Sequence, residues 1–226
     1  MATRPSFKEA LVAFYDAQAS EREQRGLRET RADLRSRFLQ RLRDEERSTL
    51  VDLGAGPGRD AVAFSRAGIQ VTAIDLSAQH VALCRAKGID ARVGDFYTLD
   101  FPADSFQAGW AMSSLLHVPN RDLDAVVGEI TRVLSPGSPL AIGLWGGIDR
   151  EGIWEDDIAE PKRFFSLRSD DHLRALLSQH FDILEFDVSS PEEGLGSKVH
   201  YQWCVVSAGS AAGRSREPQG DRRIPI

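Results

Sequence analysis

Short apolar runs alternate with amphipathic stretches along most of the chain. Thr49 to Leu53, Val71 to Ile74, Ala91 to Val93, Ala108 to Met112 and Leu140 to Leu144 are strand-like, and helical patterns separate them, the order expected of a parallel sheet with crossover helices. The clearest helix spans about 120 to 134, where Leu123, Val126, Val127, Ile130, Val133 and Leu134 share one face and Pro136-Gly137 ends the pattern. Ser77 reads as a helix N-cap and Gly88 as the stop of the same helix. Another helix, over about 170 to 179, precedes two more strand-like runs, Asp182 to Val188 and Tyr201 to Val206, joined by a loop rich in Pro, Glu and Gly. Ahead of the first strand the pattern predicts helices over about 6 to 19, with Phe7, Leu11 and Phe14 on one face, and about 27 to 43. The class is α/β, doubly wound, with helices on both faces of the sheet.

This pattern divides the chain into an N-terminal helical cap over 1–48, a main domain over 49–206 and a tail over 207–226. Within the main domain, 146–166 is rich in Gly, Trp and acids without a clean period, and is expected to be a lid. The tail, dominated by Gly, Ser, Ala, Pro and Arg, is expected to be disordered. A length of 226 residues with 42% apolar and 27% charged residues fits one α/β domain with a small cap and excludes fibrous and largely disordered classes.

No apolar stretch approaches the roughly 18 to 20 residues of a membrane span. Thr3, Arg4, Ser6, Lys8 and Glu9 stand where a secretory signal would carry a continuous apolar run, so a cytoplasmic location is expected. Cys84 and Cys204 have neither C-x-x-C spacing nor His neighbours, which argues for buried thiols and no metal. The net charge of −6 disfavours a nucleic-acid partner. The Arg-rich stretch from Arg22 to Arg47 carries Leu34, Phe38 and Leu42 every fourth position, which makes it a solvated amphipathic helix before an RNA-binding face.

Candidate chemistry concentrates between the first and third strands. Val51-Asp52-Leu53-Gly54-Ala55-Gly56-Pro57-Gly58 joins a strand to a helix through three glycines, but Arg59 stands where a dinucleotide loop places its third glycine. Asp52, two positions before the first glycine, would repel a phosphate and suits a cationic ligand. Asp75 follows 17 residues after Gly58, near the offset at which a carboxylate meets ribose hydroxyls. Gly94-Asp95-Phe96 closes the third strand with an acceptor for an adenine amino group and a ring to pack on the purine.

At these residues, at Asp75-Leu76-Ser77 and at Arg132-Val133-Leu134-Ser135-Pro136-Gly137, the chain resembles the class I, seven-stranded, S-adenosylmethionine-dependent methyltransferases, over roughly residues 49 to 206. The resemblance implies a mostly parallel seven-stranded sheet with an antiparallel last strand. It also implies S-adenosylmethionine as cofactor, held by Asp52, Gly54, Ala55, Gly56, Gly58, Asp75, Leu76, Asp95, Phe96 and Ser113. Arg59 is a candidate partner for the methionine carboxylate of that cofactor, while Asp60 beside it reads as a structural residue of the helix start.

His117, in Met112-Ser113-Ser114-Leu115-Leu116-His117-Val118-Pro119 after the fourth strand, matches a histidine common in small-molecule members and is the candidate general base, set against a role that only orders the loop. Trp145 and His200 are candidates for the substrate pocket, as are Trp154, Phe164, Phe165 and Tyr201, with core packing as the alternative. Tyr15 is a further candidate, either closing over the sulfonium or anchoring its helix. The N/D-P-P-Y/F sequence of many amino-methylating enzymes is absent, which shifts weight toward an oxygen, sulfur or carbon nucleophile or an activated amine. A small-molecule methyl acceptor is the expected partner, with neither nucleic acid nor membrane. The rivals are a methyltransferase of RNA or protein, an oxidoreductase with an irregular loop, and a non-catalytic cofactor binder.

Overall fold

In a computed structural model, which describes residues 6–26, 29–154, 157, 159–189 and 198–209, the apolar runs become strands of one sheet. The strands in chain order are β1 (Thr49–Leu53), β2 (Gln70–Asp75), β3 (Asp90–Val93), β4 (Gly109–Met112), β5 (Pro139–Gly146), β6 (Arg150–Ile153), β7 (Phe164–Leu167), β8 (Phe181–Val188) and β9 (His200–Ala208). The helices are α1 (Phe7–Ala17), α2 (Ala19–Gln24), α3 (Glu29–Asp44), α4 (Arg59–Arg66), α5 (Ala78–Ala86), α6 (Asn120–Val133) and α7 (Asp170–Leu177). The main sheet runs β3-β2-β1-β4-β5-β9-β8, parallel from β3 through β5, with β9 antiparallel to both its neighbours. The chain reverses its direction of travel across the sheet between β1 and β4, and in such folds a crevice opens there beyond the carboxyl ends of the strands.

Side-chain alternation assigns each face its own helices. Along β4, Ala111 joins a core with Leu123, Val126, Val127, Ile130 and Val133 of α6, while Trp110 and Met112 face Phe38 and Leu42 of α3, Phe64 of α4 and Val81 of α5. The α6 stripe is buried at all five positions, and each such side chain contributes about 1.5–3 kcal/mol. The helices therefore cover both faces, as the pattern predicts.

Three elements differ from expectation. The segment over 6–19 is α1, started by a Ser6–Glu9 capping box, and a separate short helix, α2, begins at the buried Ala19. The helix expected over 27 to 43 occupies Glu29–Asp44. The segment 146–166, whose pattern is too irregular to read, contains β6 and all but the last residue of β7, paired as an antiparallel ribbon apart from the main sheet. The tail expected to be disordered lies, from residue 210, outside the described residues, as does 190–197 of the β8–β9 loop. Cys84 and Cys204 are buried free thiols, and burial pushes both thiols up to about 12. Among the described residues no helix is long and apolar enough to cross a membrane.

Candidate functional site

The loop leaving β1 is shaped by its glycines. Gly54, Gly56 and Gly58 hold φ of 77°, 57° and 81°, a region other residues enter only with strain. A Cβ on Gly54 would stand 2.4 Å from Cβ of Ser114, so the close approach of the next loop excludes any side chain there. A Cβ on Gly56 would meet no protein atom within 4 Å, and Gly56 lines a cavity of about 1130 Å³ at the carboxyl ends of the strands. The loop thus leaves the space beside Gly56 open to a ligand.

Four carboxylates surround this loop in different states. Oδ2 of Asp75 accepts the Gly56 N–H at 2.8 Å, and Oδ1 accepts the Ser77 N–H at 2.9 Å with His80 Nδ1 at 3.3 Å. Asp95 accepts the Tyr97 N–H on Oδ1 at 2.9 Å and pairs through Oδ2 with Lys8 of α1 at 2.5 Å. The Lys8 ammonium also sits 3.7 Å from the centre of the Tyr97 ring. Asp60, 2% exposed, is fully engaged: Arg31 and Arg35 of α3 pair with it at 2.6 and 2.9 Å, and Trp110 Nε1–H donates at 3.0 Å. Asp52 is equally buried, yet its Oδ2 has no partner. Burial and the neighbouring Asp60 raise the Asp52 carboxyl well above the usual carboxylate range, which a cation brought close would offset.

Across the cavity, the Tyr15 hydroxyl of α1 and Nε2 of His117 are 2.7 Å apart, and Nδ1 of His117 is 2.8 Å from the Phe164 carbonyl oxygen of β7. A carbonyl only accepts, so Nδ1 carries the hydrogen, and neutral Nε2 accepts from Tyr15. Burial lowers the His117 pKa to about 4 and raises that of the Tyr15 phenol, against the lowering effect of Arg22 and Arg163, so both are neutral near pH 7. Arg168 fixes this corner from behind: wholly buried, it donates to the carbonyl oxygens of Val118 and Ser166 at 2.8 and 3.1 Å.

Of the residues singled out in the sequence, the structure brings Gly54, Ala55, Gly56, Asp75, Leu76, Asp95 and Phe96 to the cavity wall near the loop. Ser113, His117, Trp145 and Tyr15 complete the wall on the other side. Ser113 itself holds a φ of 55°, its N–H bound to the Gly143 carbonyl at 2.6 Å. Gly58 and Asp52 lie outside the wall. Gly58 is required by packing, since a Cβ there would come 2.6 Å from Cys84 Sγ. Arg59 reaches the wall, but its guanidinium donates to the carbonyl oxygens of Arg22 and Gly26, which ties down the chain between α2 and α3.

His200 is not at the cavity. Alternation along β9 turns Tyr201 and Trp203 inward, while His200 pairs with Asp170 at 2.8 Å beside Gln202, whose amide donates to the same carboxylate. Sequence reasoning missed Lys8, Arg22, Arg31 and Arg163 at the wall, because they reach it from helices or from just ahead of β7, whose place above the sheet is a tertiary fact; it also missed Tyr97, in the loop after β3 next to Phe96. Among the described residues no group of three or more His, Cys, Asp or Glu is placed to hold a metal.

A glycine loop after β1, carboxylates at the ends of β2 and β3, and a sheet with one reversed strand define the class I methyltransferase fold. Residues 50–137 match the family model of the methyltransferase domain. The chain is 30% identical over 145 residues to the sterol 24-C-methyltransferase of Gibberella zeae, covering 59% of this chain and 36% of that protein. It is 31% identical over 134 residues to the ubiquinone biosynthesis O-methyltransferase of Xanthomonas oryzae pv. oryzae, covering 56% and 54%. The chain therefore spans about a third to a half of the length of these curated relatives. In structure it resembles the 1,6-didemethyltoxoflavin-N1-methyltransferase of Burkholderia thailandensis, with a TM-score of 0.67, 19% identity and 93% of each chain covered.

Proposed function

We propose that this chain binds S-adenosylmethionine in the cavity and transfers its methyl group to a small-molecule acceptor. The observation that carries the reading is the orphaned Oδ2 of Asp52 behind a loop left open at Gly56: a buried carboxylate without a partner is costly, and a cationic amino acid end in the open space before the loop offsets part of that cost. The same reading gives the ribose hydroxyls to Asp75 and the adenine to Asp95 with Phe96, and it is supported by all three lining the cavity beside the loop. When bound, the sulfonium supplies an already activated methyl group.

The chain's own part is then to hold the acceptor in line and exclude water. α1 and the β6–β7 ribbon form the lid, joined where the Phe7 and Phe164 rings pack 5.3 Å apart. His117 serves as proton acceptor through Tyr15, since its lone pair already takes the Tyr15 hydroxyl hydrogen and an acceptor proton reaches it only by way of that phenol. A cavity walled by residues of α1, α2 and β7 above the sheet suits a small acceptor, and the sterol and ubiquinone-pathway relatives support that class. The test is calorimetric titration with S-adenosylmethionine and S-adenosylhomocysteine beside Asp75→Ala, followed by an acceptor screen. Micromolar binding that the variant weakens supports the reading; a folded protein that binds neither ligand overturns it.

A further inference from the structure

Two guanidinium groups stand beside the Tyr15–His117 pair. The Arg22 guanidinium of α2 lies 4.7 Å from the centre of the Tyr15 ring, and that of Arg163 lies 4.2 Å from Phe14 and 5.0 Å from Phe165. Both side chains line the cavity. The other cations of the wall are taken up: Lys8 by Asp95, Arg25 by Glu21, Arg31 by Asp60 and Arg59 by carbonyl oxygens. Arg163 has a bidentate partner in Asp157, with both contacts at 2.7 Å. Arg22 forms no ion pair among the described residues, and its Nε is buried with no acceptor.

A guanidinium with a buried Nε and no counter-ion is an expensive arrangement, and this corner sets the guanidinium groups of Arg22 and Arg163 against one paired carboxylate, Asp157. A sulfonium in the same cavity would add a further positive charge. The main chain of Arg22 is also held in place, since Arg59 donates to its carbonyl oxygen. A guanidinium at the cavity wall with no ion pair and a buried, unpartnered Nε offers the planar N–H donors that recognise a carboxylate through two parallel hydrogen bonds. Trp145, Phe165 and Tyr201, which line the same cavity, offer apolar and aromatic surface to the rest of such a ligand.

We propose that Arg22, with Arg163 beside it, receives a carboxylate of the methyl acceptor, which makes the acceptor an organic acid with an apolar or aromatic body. This rests on the functional reading above. Its rival is the carboxylate of the cofactor's own methionine end, and the experiment separates the two.

Binding of benzoate, 4-hydroxybenzoate and cinnamate is compared with that of their carboxamides by thermal shift, with and without S-adenosylhomocysteine, in the wild-type protein and in Arg22→Met. The acids are expected to bind at least tenfold more tightly than the amides. Arg22→Met abolishes that preference, leaves the affinity for S-adenosylhomocysteine within about threefold, and keeps or raises the Tm of the unliganded protein, which a merely structural arginine would lower. Equal binding of acids and amides overturns the proposal. So does a tenfold loss of S-adenosylhomocysteine affinity in Arg22→Met, which assigns Arg22 to the cofactor. A wild-type protein that ignores S-adenosylhomocysteine but still prefers acids overturns the cofactor reading and leaves the carboxylate subsite standing.

Discussion

Along the floor of the cavity, backbone N–H groups and left-handed glycines at the ends of β1 and β2 hold the carboxylates. Along its roof, long side chains of α1 and the β6–β7 ribbon meet one another and the loops below: Arg163 lies over Phe14, Tyr15 reaches His117 after β4, and Lys8 reaches Asp95 after β3. The floor is fixed by strands buried on both faces and cannot shift without disturbing the core. The roof is joined by a few polar contacts between elements outside the sheet, the kind of unit that opens locally at low free energy. Rigid placement of one ligand and adaptable closure over another call for this division.

Asp60 and Asp52 offer the sharpest way to break the comparison, because both lie under the floor and only one is satisfied. Asp60→Ala strands Arg31, Arg35 and the Trp110 N–H, and an expected loss of about 3–5 kcal/mol would appear as a lower urea midpoint with an unchanged slope. Asp52→Asn removes a carboxylate with an unpartnered oxygen and is expected to leave stability equal or higher while weakening cofactor binding at least tenfold. A loss of stability in both variants would mean that Asp52 is a structural residue.

The roof has a counterpart in His117, where burial has disfavoured a charge. Its pKa of about 4 in the folded protein lies below the ordinary 6.5, so the unfolded chain binds the proton more readily. The contribution of His117 is therefore fully present above pH 6.5 and is lost as pH falls toward 4, by about 3 kcal/mol over that window. Unfolding followed across pH 4 to 7 should display this slope, and His117→Asn should remove most of it. A slope unchanged in the variant would place the acid sensitivity elsewhere.

The floor was legible in the sequence because its chemistry is local. The glycines, Asp75, Ser77 and Asp95 sit within a few residues of strand ends, and strand periodicity alone tells where those ends are. Even there only the backbone was legible: Arg59, adjacent in sequence to the loop, turns to the carbonyl oxygens of Arg22 in α2 and of Gly26 just beyond it. The roof was not legible for the opposite reason. Tyr15 and His117 stand 102 positions apart, and nothing in either local pattern predicts their contact. His200 misled because a one-residue offset on a strand exchanges the two faces, and the reading had no register to place it.

On the floor, Asp75→Ala takes the acceptor from two N–H groups and from the ribose hydroxyls the site is proposed to bind. Charged hydrogen bonds of this kind contribute roughly 1.5–3 kcal/mol, so the affinity for S-adenosylhomocysteine is expected to fall between about tenfold and a hundredfold in calorimetry. A change below threefold would detach the end of β2 from the ligand.

The smallest effect is expected where roof meets floor, at Lys8 and Asp95. Their side chains are 35% and 29% exposed, so water and salt screen the pair, and such pairs contribute about 1 kcal/mol at most. Lys8→Met keeps an apolar side chain of similar length and removes the charge from both Asp95 and the Tyr97 ring. Its unfolding free energy should differ from that of the wild type by less than about 1 kcal/mol, and the difference should vanish near 1 M salt. Amide exchange in α1 should quicken while β1 and β2 keep their protection, because the lost contact ties the helix down and leaves the sheet alone. Equal loosening of α1 and the strands would mean that roof and floor unfold as one unit, and the division drawn between them would not hold.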